Sequence, residues 1–494
     1  MNLTPRYDIG SPVLKDLWID PVHGCDENDG TSRAQALKTL GAAWKKLPSQ
    51  TNAHGWRLLL CPGVHGAETI GQIALNDVRG TKSAPILLQS VESNSPARLP
   101  QLDFNRCSHL YLLDLELSSP QLNTVPISTD NVLHFADCEY TLVRGVKARG
   151  VNGSGGLPRL AFKANQCTYM YIEDSEFSDS YAYIFAYVAV QYGHIVRCKF
   201  ARGGMSGVCL KGGSAYHLVA GNEVSHSRHV GINAGEGTGF AYMVPPWLHY
   251  EAYDIKIVNN VVHHAGGGIG VGGGYNILAA HNTCYQVGTN RDLVVVAFGG
   301  RGWVGDGHAA VCEKFHQSGG WCNRGAEGCF IPNRNLSIYN NLFLNPDGFE
   351  SECAHFGVTG PAPAAPGSNV PDPVAVTNIR IENNLVWNGG PQKAVLDDVE
   401  KCWGLAARPT LDAAELARLN TLNKLKPVLL DPENGNYAPS PEASAHLLKA
   451  VPIPDFDPAD PLQPPCPLGD LSNAVPLDRS GQDFRGGFVG AYGR

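Results

Sequence analysis

Charge is scarce in this 494-residue sequence: Asp, Glu, Lys and Arg make up 17%, and methionine occurs only 4 times. No apolar run approaches about 18 residues, the length of a membrane-spanning helix, so no span is expected. The opening MNLTPRYDIG lacks an apolar stretch and is expected to carry no signal peptide. Either the protein is intracellular or a leader has been removed. No CxxC pair occurs among the 14 cysteines, which weakens zinc-ribbon and thioredoxin readings. The 56 glycines follow no three-residue period, which excludes collagen. An apolar content of 43% over this length gives a large core and excludes general disorder. Many glycines alongside Asn, Val and Ile suit an all-β chain with tight turns.

The net charge of −8 argues against nucleic-acid binding. It is unevenly spread. From Tyr181 to Gly235 stand five basic residues, Arg197, Lys199, Arg202, Lys211 and Arg228, four histidines and one acid, Glu223. That cluster reads either as an anion site or as chance. Cys312, Cys322, Cys329 and Cys353 lie in loop-like sequence, where disulfides would imply an oxidising compartment. Cys167, Cys198, Cys209 and Cys284 lie in apolar strand patterns and read as small buried hydrophobes.

A phrase recurs: apolar-x-apolar, then Asn or a small residue, x-apolar, and a polar tail. Its instances are YIEDSEFSDS, HIVRCKFARG, HLVAGNEVSHS, KIVNNVVHHAG, ILAAHNTCYQVG, LSIYNNLFLNP and IRIENNLVWNGG. Their turn residues are Ser175, Cys198, Asn222, Asn260, Asn282, Asn341 and Asn384, spaced by 23, 24, 38, 22, 59 and 43. The short spacings define one unit and the long ones a unit plus an insertion. Such short β-patterned units without helices predict a parallel β-solenoid, whose coils bury a shared core. The LxxLxL pattern of leucine-rich repeats is absent, and propeller blades need about 40 residues. The Asn column predicts a structural ladder, because Asn tolerates a left-handed turn and its amides can bond along strands about 4.8 Å apart.

Leu37, Leu40, Trp44 and Leu47 predict a helix over 35–47 that caps the solenoid, ending at Pro48. Coils are expected from Trp56 to about Asn388, with an entry segment over 1–55 and a helix and tail over 401–494. A second short helix is expected from Leu411 to Leu422, started by Thr410. Insertions are expected near 239–252, 302–334 and 346–376, positioned to wall a groove.

Alignment on the turn residues sets LKGGS (210–214) beside AGEGT, VGGGY and AFGGR. This glycine column admits two readings, room for a ligand near the backbone or simply sharp turns. Lys211 falls in register with Tyr187, Gly235, Val271 and Ala297 and should point outward. In a pocket it would be a base of depressed pKa, and otherwise an ordinary surface lysine. A second polar column comprises Asp179, Arg202, His226, His264, Gln286, Asn345 and Asn388. It reads as a hydrogen-bonded ladder or, at His226, Arg228, His229 and His264, as a site that neutralises an acid, moves a proton or binds a metal. Glu236, Tyr250, Glu251 and Trp247 flank or occupy the first insertion, and Arg301, Trp303 and Trp321 the second.

The repeats, together with LWIDPVHGCDENDGTSRAQALKTLGAAWKKL, LLDPENGNYAPSPEASA and PLDRSGQDFRGGFVGAYGR, resemble right-handed parallel β-helix proteins of the pectate-lyase-like superfamily. The resemblance implies an all-β fold: a single right-handed parallel β-helix with an N-terminal capping helix and an irregular C-terminal tail. It implies a secreted or periplasmic protein that degrades an anionic polysaccharide, and it suggests Lys211 as base. Fold alone leaves the reaction open. The reading that results is a lyase cleaving a uronic-acid polymer by β-elimination. Arg228, with His226 or Arg202, would neutralise the carboxylate. Lys211 or a histidine would take the proton, and Tyr250 or His229 would protonate the leaving oxygen. Arg202, Trp247, Glu251, His264, Arg301 and Trp303 would bind the sugar. Calcium is possible, without an identifiable Asp cluster to hold it. A glycoside hydrolase using Glu236 and Glu251, a uronate epimerase and a non-catalytic carbohydrate-binding protein are the alternatives. A monomer is the default.

Overall fold

Alternation of apolar and polar residues in the repeats produces short parallel strands, and the computed structural model shows them. It describes residues 5–66, 73–118, 131–150, 160–302, 308–322, 328–349, 351, 353–388, 395–397, 411–440, 448–484 and 487–493. Two compact units are present. One comprises 5–186 with 190–204, and the other 205–494 with 187–189. Within each, strands form three parallel sheets, and successive strands of a sheet belong to successive coils.

In the first unit one sheet runs Leu14–Ile19, Gly55–Leu60, Ile86–Ser90, Leu110–Leu113, Glu139–Arg144, Thr168–Glu173 and Gln191–Val196. The entry strand Leu14–Ile19 is thus itself a coil strand, paired with Gly55–Leu60. Inside, Phe104, Phe135, Phe162 and Phe185 stack coil upon coil, with centroids 5.2, 5.7 and 4.4 Å apart. The expected cap is shorter than its apolar spacing suggests. The α-helix is Leu40–Lys45, because Thr39 caps it by accepting from Ala42 N–H. Trp44 anchors it against Phe104, centroids 5.9 Å apart.

In the second unit the sheet that matters for function comprises Val208–Lys211, Val230–Gly235, Gly267–Gly272, Val294–Ala297 and Phe356–Val358. Part of the expected insertion 346–376 is therefore a regular coil strand. The later helix is Ala413–Leu419, capped by Asp412. Thr410, the expected cap, lies outside the described residues. The tail returns along another sheet, where Asp460 accepts from Tyr275, Arg334 and Asn335. No helix among the described residues is long and apolar enough to cross a membrane.

Asn222, Asn260, Asn282, Asn341, Asn384 and Asn420 form a continuous buried ladder. From Asn260 onward each amide oxygen accepts from the backbone N–H and side-chain amide of the Asn one coil before. The left-handed turn expected of these residues sits one position earlier, at Asn259, His281, Asn340 and Asn383, with φ of 58°, 54°, 55° and 54°. The ladder thus satisfies buried peptide groups and leaves the bend to its neighbour. Asn282→Ala is expected to cost about 3 kcal/mol, because Asn260 N–H loses its acceptor in a water-free interior. The midpoint of denaturant unfolding checks this.

The second polar column also has a backbone cause. Asp179, Arg202, His226, His264 and Gln286 are left-handed, with φ of 62°, 63°, 54°, 53° and 51°. A polar, outward side chain suits such a bend. The expected disulfides are absent: no bridge joins any described cysteine. Cys312, Cys322 and Cys329, within the second insertion, are instead buried, Cys312 and Cys322 against Phe240, Met243 and Leu248.

Candidate functional site

Strand alternation in the Val208–Lys211 sheet sends one set of residues inward and the other out. The inward rungs are Leu210, Ala234, Val271 and Val296. The next outward rung sets Gly235 opposite Gly272 and Ala297, with Lys211 one residue beyond the Leu210 pair. Lys211 therefore points outward as expected, but its register partner two coils on is Gly272, not Val271. Its ammonium lies 3.2 Å from Glu236 Oε1, and the two side chains are 15% and 24% exposed. Cys209 Sγ is 3.8 Å from the other carboxylate oxygen.

Glu236 lines a cleft of about 150 Å³ with Met205, His229, Asn233, Arg291 and Phe298. The strand pairing explains the opposite end of this cleft. Val230 pairs with Gly267, and Ile269 with Val294. Counted back along the same register, one residue from Val230 and Gly267 and three from Ile269 and Val294, His229, Gly266 and Arg291 fall on successive coils. Two bare glycines between His229 and Arg291 open a notch, about 10 Å across at the backbone for two strand spacings. A Cβ at Gly267 would come within 2.9 Å of Arg291 Cβ, so the glycine lets Arg291 pack close. Gly266 C=O accepts from the backbone of both Asn290 and Arg291 and holds the turn.

Burial lowers the His229 pKa below its ordinary 6.5, and the charges of Arg291 and Arg228 lower it further, while Glu236 opposes them. These shifts favour the neutral imidazole. Arg291 was not legible as a site residue: it belongs to a loop outside the repeat, and only register places it beside His229.

Behind Lys211 lies a second ion pair of different character. Glu251 and Arg301 have fully buried side chains and bond to each other. Glu251 also accepts from Gly212 N–H at 3.1 Å, and its backbone carbonyl accepts from Gly213 N–H. Arg301 donates to the carbonyls of Leu248, His249 and Trp321. This explains much of the glycine column. A Cβ at Gly299 would meet Glu251 Cγ at 2.9 Å, and one at Gly235 would meet Glu251 Cβ at 3.1 Å. The glycines vacate the volume that the carboxylate fills. Gly212, Gly213, Gly235 and Gly273 also need positive φ. The sugar-facing purpose considered for this column is replaced, at these positions, by packing and turn geometry.

The other expected site residues separate accordingly. Glu251 and Arg301 are enclosed and cannot meet a polymer. Tyr250 is 3% exposed, packs on Tyr253, Tyr275 and Trp321, and has its pKa raised by burial, so it is a core residue and not an acid. Trp247 is buried too and donates to Tyr216 Oη at 3.1 Å. Arg202 forks onto Asp179 at 2.6 and 2.8 Å, in the first unit, as a structural pair. His226 and His264 stack in parallel 5.0 Å apart, as the coil spacing predicts, but on strands Glu223–Ser227 and Val261–Ala265 of another sheet. They do not line the cleft. Arg228 is exposed beside His229. Trp303 lies outside the described residues.

Calcium takes six to eight oxygen ligands. The cleft offers one carboxylate, Glu236, already paired with Lys211, and no group of three or more His, Cys, Asp or Glu able to hold a metal occurs among the described residues. The donor set does not fit calcium.

Residues 132–290 match the family described as right handed beta helix region. No curated protein matches in sequence. Among solved structures, a pectate lyase aligns over 98% of this chain and 97% of its own, at 14% identity and a TM-score of 0.50. A rhamnogalacturonan lyase aligns over 75% of this chain and 87% of its own, at 12% identity and a TM-score of 0.48. An alginate lyase aligns over 86% and 55%, at 11% identity and a TM-score of 0.37. With its parallel sheets, the chain has the right-handed parallel β-helix fold, which it shares with a pectate lyase over nearly its whole length.

Proposed function

We propose that the protein is a carbohydrate-active enzyme, a lyase that cleaves a uronic-acid polysaccharide by β-elimination in the cleft between His229 and Glu236. The observation that carries this reading is a cleft lined by an imidazole, His229, and a guanidinium, Arg291, and by Glu236, whose carboxylate holds the Lys211 ammonium at 3.2 Å. An imidazole, a guanidinium and an ammonium are what the elimination needs.

Arg291 pairs with the substrate carboxylate and makes the neighbouring C5–H acidic. His229, neutral because it is buried beside cations, takes that proton. The electron pair forms the C4–C5 double bond, and the bond from C4 to the glycosidic oxygen breaks. The leaving oxygen takes a proton from the Lys211 ammonium. This reverses the role expected of Lys211. An ammonium 3.2 Å from a carboxylate is favoured in its charged form, which suits a proton donor and not a base. Hydrolysis by Glu236 and Glu251 loses its second carboxylate, since Glu251 is sealed against Arg301. A polymeric substrate implies work outside the cytoplasm, in the periplasm or beyond.

The pH profile tests these roles. The acid limb of kcat/KM should lie below 6.5, the ordinary histidine value, because only neutral His229 is a base. Arg291→Gln removes a charge that lowers the His229 pKa and should move the limb up. Glu236→Gln removes one that raises it and should move the limb down. Shifts of the same sign in both variants, or a limb above 6.5, would remove His229 from the role.

A further inference from the structure

The first unit, which does not contain the cleft, carries a preformed cationic groove of about 440 Å³. Lys15, Lys46, Gln50, Asn52, His54 and Trp56 line it, and none of its lining residues is acidic. In a protein of net charge −8 this is a local exception.

Lys15 and Trp56 are direct partners on adjacent strands, which puts the Lys15 ammonium 5.8 Å from the ring centroid. The His54 ring stands 5.5 Å away on the same indole, inclined by 58°. Lys46 is the C-cap of the short helix, so its exposed side chain leaves at the groove edge. Between them, Thr51 N–H donates to Arg79 C=O at 2.9 Å and its hydroxyl donates to Ala84 C=O, pinning the loop that carries Gln50 and Asn52. The carboxylate nearest in sequence, Asp16, is taken by Arg57 through two bonds of 2.9 Å. It does not neutralise the groove.

We infer that this groove is a second binding site for an acidic polysaccharide, separate from the cleft. Two ammoniums take carboxylates, the exposed amides of Gln50 and Asn52 take hydroxyls, and the indole offers an apolar floor to a sugar ring. A preformed groove loses little order on binding. The inference rests on the acidic-polysaccharide reading of the cleft.

The test is affinity electrophoresis of the full chain carrying His229→Ala, so that the probe survives. The probes are polygalacturonate, alginate and hyaluronan, with dextran as the neutral polymer. At least one acidic polymer should retard migration and dextran should not. Adding Lys15→Glu and Lys46→Glu, both at exposed positions, should weaken that binding about tenfold. The same pair in the parent should leave turnover of short oligomers unchanged, which also shows that it folds. Trp56→Ala should weaken binding with less salt dependence than the charge reversals. Unchanged retardation by the charge-reversed protein, or equal retardation by dextran, overturns the groove. Turnover without any retardation overturns the groove alone, and neither binding nor turnover overturns the function as well.

Discussion

Arg301→Met is expected to destabilise the protein by about 3–5 kcal/mol, among the largest single-residue effects in the chain. The reason is not the worth of the ion pair but what remains without it. Glu251 would keep a charge at a site with no solvent exposure. Three carbonyls, of Leu248, His249 and Trp321, would lose their donor. Glu251→Gln combined with Arg301→Met should lose less than the sum of the two single changes, since the double variant strands no charge. Differences in the midpoint of chemical unfolding measure this. Losses that simply add would mean the two residues act apart.

The same pair has a consequence for the cleft. Glu251 bonds to the peptide N–H groups directly after Lys211, and it packs against the glycine directly before Glu236. Arg301 ties that carboxylate to both loop insertions. The turn that presents Lys211 is thus fixed from behind by a buried charge and from the side by the loops.

How much of this could be read from residues alone depended on periodicity. The Asn ladder repeats with the coil, so identical residues at one register position announced contact. Lys211 and Glu236 were legible for the same reason, one coil apart beside a recognisable glycine column. Glu251, Arg301, Tyr250 and Trp247 were misplaced because polarity and position next to an insertion suggest exposure. For Glu251, the volumes vacated by Gly235 and Gly299 reveal that the side chain points in. Arg291 was missed because it stands in a connection outside the repeat. His226 and His264 were correctly stacked upon each other, yet the bend after each marker residue sends them to a different face from His229.

The second large effect concerns catalysis. His229→Ala should lower kcat by about 10²–10⁴, the usual worth of a positioned acid or base, with little change in stability because His229 is partly exposed at a strand entrance. Lys211→Ala should lower kcat within the same range. The two should differ in what rescues them. A substrate with a leaving group that needs no proton should restore the Lys211 variant and leave the His229 variant impaired. Rescue of the His229 variant instead would exchange the two roles.

The most direct test of the central claim is the ultraviolet absorbance of the product. β-Elimination leaves a C4–C5 double bond conjugated with the carboxylate, whereas hydrolysis leaves none. The protein is incubated with polygalacturonate, alginate and glycosaminoglycans, beside His229→Ala and Lys211→Ala. The account predicts rising absorbance with at least one polymer, nearly abolished in both variants. New reducing ends without absorbance, or absorbance that persists in both variants, would contradict it.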